Sequence, residues 1–114
     1  MKTAGIIFNV VFSIFLLICV GVHVYGLFSH FNSEPQYSHI IHIVSYGLCL
    51  YAYITTARFR LLAYVFGSIY PFLYHAHCAW VSFTDYGHLN GICILVVVMI
   101  PIGKLWLWKT SEPL

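Results

Sequence analysis

Seven histidines and four cysteines stand out in a chain of 114 residues in which only 7% of side chains are charged. A neutral imidazole can bind copper, zinc or iron, and a thiolate adds a softer sulfur ligand. His23, His42, His75 and His77 are the candidate metal- or cofactor-binding residues, because they fall within apolar stretches where an unpaired polar ring is costly. Cys78 and Cys93 are candidate sulfur ligands beside them. The cofactors this set suits are haem, copper or zinc, haem requiring histidines presented to an iron axis.

Spacing refines the set. His23 and His30 are seven residues apart and share a helix face, as do His39 and His42 at a spacing of three. His75 and His77 point in different directions on a regular helix, so both do not automatically enter one site. His75 and Cys78 again share a face. Tyr46, Tyr70 and Tyr74 offer hydroxyls for a hydrogen-bonded pocket or a quinone carbonyl, although each taken singly reads as an interfacial anchor. Glu34 and Asp85 read as loop solubilisers as readily as site groups. The four cysteines carry no close-spaced metal motif, and buried free thiol is the default reading. Matched depths allow Cys19–Cys49 and Cys78–Cys93 pairings, the second being the more open to oxidation.

Four apolar stretches must position these groups: Ala4 to Phe28, His39 to Ala57, Leu61 to Phe83 and Leu89 to Trp108. Lys2, Arg58, Arg60, Lys104 and Lys109 fall on one side of an alternating thread, and Glu34 and Asp85 on the other. With 61% hydrophobic residues, that pattern predicts an all-α integral membrane protein. The expected fold is a single domain over residues 1–114, a four-transmembrane-helix up-down-up-down bundle with both termini on the cytoplasmic-like side. The first stretch is too long for an ordinary signal core and is read as retained. Its compartment is not specified by any motif. Antiparallel threading brings all seven histidines to the same end.

Ser38 is the expected N-cap of the second helix, while Pro71 and Pro101 are expected to divide or interrupt the third and fourth. No basic patch suits nucleic acid. No Ser-His-acid set, Walker loop or dinucleotide fingerprint supports catalysis, so enzymatic activity is left open. The leading expectation is an accessory subunit packed against a larger membrane protein. Membrane lipid, a homo-oligomeric copy and a quinone are further expected partners. The competing expectation is a small haem- or metal-binding protein with a redox or metal-handling role, and a third is a quinone- or lipid-directed enzyme.

Overall fold

The computed structural model describes residues 3–29 and 33–110. Its elements are α1 (Thr3–Ser29), α2 (Gln36–Ile54), α3 (Arg60–Tyr86) and α4 (Gly91–Thr110). Each helix packs on the next in sequence, as short connections between antiparallel neighbours require. Side chains close the ring between first and last: Trp106 Nε1 donates to Asn9 Oδ1 at 2.7 Å, and the Phe8 and Trp106 rings meet at 4.6 Å.

Local chemistry fixes the ends. Pro35, extended at φ −64° and ψ 153°, is the N-cap of α2, and its carbonyl accepts from the Ser38 and His39 amides. Ser38 is therefore inside the first turn, not the cap, and its hydroxyl is released for another use. Gly87 ends α3 in the left-handed region at φ 73°, where a side chain would be strained. Asn90 caps α4, its Oδ1 accepting from the amides of Ile92 and Cys93. Pro71 and Pro101 lie inside continuous helices, so neither divides its element. Arg60 joins the opposite end by donating to the carbonyls of Thr55 and Thr110.

One inward stripe per helix builds the interior. On α1 it runs through Phe12, Leu16, His23 and Gly26; on α3 through Tyr64, Gly67, Pro71, His75 and Ala79. On α2 it includes His39, His42, Tyr46, Cys49 and Tyr53, and on α4 Cys93, Val96, Ile100, Gly103 and Leu107. Steps of three, four or seven residues keep each set on one face. The half containing the chain's first and last helical turns is apolar and aromatic. Phe12 stacks on Tyr53 at 4.7 Å, and Phe12, Leu16, Tyr64 and Leu107 are almost wholly enclosed. Each such side chain contributes about 1.5–3 kcal/mol by leaving water.

The expected four membrane spans are corrected here. Among the described helices, only α1 and α4 are long and apolar enough to cross a membrane, and length and composition alone do not make either a span. The inward face of α2 is polar through Ser38, His39, His42 and Ser45, and that of α3 carries His75. What stands is a four-helix bundle organised around an interior of its own. The integral-membrane assignment, the cytoplasmic-like placement of both termini and the expected partners (membrane lipid, larger membrane protein, homo-oligomeric copy, quinone) rested on that topology and fall with it. Large apolar side chains nonetheless remain outward-facing, Ile6, Ile7, Val10 and Val11 on α1 among them. Lys2 and His30, used in the sequence-based threading, lie outside the described residues.

Candidate metal centre

The other half of the bundle holds a knot of imidazoles around one carboxylate. Glu34 precedes α2, and Ser38 and His42 follow it at successive four-residue steps, so all three line one edge of the helix entry. Glu34 Oε2 accepts from Ser38 Oγ at 2.7 Å and from His42 Nδ1 at 2.6 Å. It also lies 3.5 Å from His23 Nδ1 and 3.7 Å from His39 Nδ1. Its side chain is only 6% exposed. Ser38 Oγ reaches Tyr70 Oη at 2.8 Å as well, tying α3 into the network.

The His42 tautomer follows from its partners. Nδ1 faces two acceptors, the Glu34 carboxylate and, at 3.0 Å, the Ser38 carbonyl. An ionised carboxylate and a carbonyl only accept, so Nδ1 carries the hydrogen and Nε2 of the neutral ring is a bare lone pair. Among the described residues that Nε2 is buried with no hydrogen-bond partner. On α3 the neighbour of His75 is a thiol, which can donate to or accept from the ring, so its tautomer is not fixed in the same way. His75 Nδ1 lies 3.4 Å from Cys93 Sγ, and its Nε2 is likewise buried and unpartnered among the described residues. An unmet buried polar atom costs about 1–3 kcal/mol, which a folded chain retains only against a compensating gain.

His23, His42 and His75 offer ring nitrogens all within 4.8 Å of one another. A second set, His23, Glu34 and His39, meets the same limit. The His23 and His42 rings stack at 4.0 Å with an interplanar angle of 11°, and His75 stands 5.3 Å from His42. The first three are enclosed by the bundle, His42 completely.

Electrostatics keeps the rings ready to ligate. Burial, followed by the charge of His42, pushes His23 down to about 4, and the same causes hold His75 at about 4. Both therefore stay neutral near pH 7, the form a metal requires. Burial alone would raise the Glu34 carboxyl, but the hydrogen bonds from His42 and Ser38 outweigh it and hold the group at about 2. Burial pushes the Cys93 thiol up to about 11, with its neighbour Cys78 adding to the rise. Sulfur at Cys93 would have to lose its proton to ligate, whereas the nitrogens of His23 and His75 and the Glu34 carboxylate are already in ligating form.

Of the residues singled out from sequence, the fold brings His23, His42 and His75 together and sets Cys93 behind His75. His77 is exposed on another face of α3, and Cys78 touches Cys93 without entering either set. All four cysteines are free. Glu34 and His39 were not among the expected ligands. The four-residue recurrence Glu34, Ser38, His42, Tyr46 is the one hint in the sequence, but Glu34 lies ahead of the Pro35 cap, so the spacing does not by itself place it on the inward stripe. Tyr70 and Tyr74 pack edge-on to His42 at 5.0 and 4.9 Å, walling the cluster.

The accessory-subunit expectation is corrected by this cluster, because the chain itself brings together residues that could hold a metal ion. The resulting character is that of a four-helix bundle with a histidine/glutamate cluster capable of metal coordination. No family model, no curated protein and no solved structure matches this chain.

Proposed function

We propose that the protein is a small metal-binding bundle whose primary ion is held by His23, His42 and His75. The single observation carrying this reading is the pair of buried Nε2 atoms, on His42 and His75, that meet no partner among the described residues. Glu34 acts behind His42 as a carboxylate that fixes ring orientation and raises ligand basicity, the usual support of a metal-bound histidine. Cys93 Sγ lies 3.4 Å from His75 Nδ1 on the other ring, as a neutral thiol and not a carboxylate.

The donor set favours zinc or copper. Imidazole nitrogen suits both, whereas magnesium and calcium select oxygen. Bonds of about 2.0–2.1 Å place tetrahedral ligand atoms about 3.3 Å apart, so the 4.8 Å set must contract, and the stacked His23 and His42 rings must turn out of parallel, to close on an ion. Three histidines leave a fourth position for water or a transferred ligand, which favours metal handling over a closed structural site. Haem suits the geometry less well. The parallel His23 and His42 rings, 4.0 Å apart, leave no slot for a porphyrin between them.

The test is retention of metal. The purified full chain, equilibrated with zinc or copper and desalted, is expected to keep bound ion, and His42→Ala to lose it. A folded wild-type chain that keeps neither ion overturns the reading.

A further inference from the structure

We propose that the cluster is a two-ion centre in which His23 is shared, one ring nitrogen serving each ion. The inference rests on the metal-binding reading above and extends it to the second donor set. Nδ1 of His23 lies 2.9 Å from Nδ1 of His39, and these atoms lie 3.5 and 3.7 Å from Glu34 Oε2. Those separations bracket the spacing of about 3.3 Å that tetrahedral ligands take around a zinc-sized ion. The trio forms a contracted nitrogen–nitrogen–oxygen site.

The ring of His23 has a second edge. Both His23 and His42 turn Nδ1 toward the same carboxylate oxygen, at 3.5 and 2.6 Å, while their rings lie stacked at 11°. The stack turns their Nε2 edges away from that carboxylate oxygen, and His75 joins these two rings in the primary set. His23 belongs to both sets, and its two nitrogens face opposite ways. Glu34 connects the sites again, holding His42 for one ion while offering an oxygen to the other. The second ion takes the place of the proton held between the two Nδ1 atoms, and that proton leaves to solvent.

A separate packing feature holds the second site together. Gly26 sits one helical turn beyond His23, and a methyl group there would run into the His39 ring. The missing side chain lets the His39 imidazole lie against α1, within reach of His23 Nδ1.

The test is a copper(II) titration of the full chain, read by metal content after desalting and by electron paramagnetic resonance. Two ions per chain are expected, with magnetic coupling appearing at the second equivalent because one imidazole joins them. His39→Ala is expected to keep one uncoupled ion. One ion in the wild-type chain, or two without coupling, overturns the shared-histidine centre while leaving the primary site intact. Retention of both coupled ions by His39→Ala also overturns it. Binding of no ion at all overturns the primary reading with it.

Discussion

The two halves of the bundle treat buried polar groups in opposite ways. In the aromatic half every prominent one is matched: Tyr53 donates to the Gly103 carbonyl at 2.7 Å, Tyr64 to the Ile100 carbonyl at 2.8 Å, and Trp106 to Asn9. In the histidine half, two imidazole nitrogens are enclosed without a partner among the described residues. The same four helices build both ends, so helix packing does not by itself produce the mismatch. The aromatic end is closed by matched hydrogen bonds, whereas the histidine end encloses ring nitrogens that the proposed metal would satisfy.

The sharpest way to break this contrast is His42→Ala. It is expected to abolish primary-ion retention, while Tyr64→Phe at the opposite end leaves metal content unchanged in the same assay. Next in size is Glu34→Gln, which keeps the side-chain shape but weakens the hold on His42. Its metal affinity, measured by competition with a chelator, is expected to fall about 10–100-fold. Gly26→Ala forces the His39 ring aside and is expected to cost about 1–3 kcal/mol in denaturant unfolding. Tyr64→Phe removes one hydrogen bond and leaves a carbonyl that α4 still partners, so about 1 kcal/mol is expected there.

Acid should separate the halves as well. His23 and His75 are held at about 4 against an ordinary value of 6.5, so the unfolded chain takes up protons that the folded chain refuses. Stability is therefore full above pH 6.5 and declines as pH falls toward about 4. Glu34, held at about 2 against 4.5, adds a further loss as pH falls from 4.5 toward 2. Denaturant midpoints measured across this range are expected to fall in the metal-free wild type. His75→Leu is expected to show a shallower decline between pH 6.5 and 4, since one of the two refusing rings is gone.

Much of the helical framework was legible in the sequence. The apolar stretches coincide with α1 to α4 within a few residues, and antiparallel threading did place His23, His42 and His75 at one end. The environment of the helices was misread, because four apolar stretches and alternating charges were taken as four spans, whereas among the described helices only α1 and α4 are long and apolar enough to cross a membrane. Glu34 was hidden by its place before a proline, where loop carboxylates ordinarily face water. Its role depends on the chain folding back so that Oε2 faces rings from both α1 and α2, a long-range fact that spacing alone does not encode. His77 shows the converse limit. Its place within an apolar stretch made it a candidate ligand, but the two-residue step from His75, already at odds with a shared site, carries it to the outside of α3.

Metal-linked unfolding tests the central claim most directly. With zinc or copper at a hundredfold excess over its dissociation constant, the wild-type chain is predicted to gain about 2.7 kcal/mol of stability, and His42→Ala to gain almost none. Identical unfolding midpoints with and without ion, or an equal gain in His42→Ala, would contradict a metal centre built on these histidines.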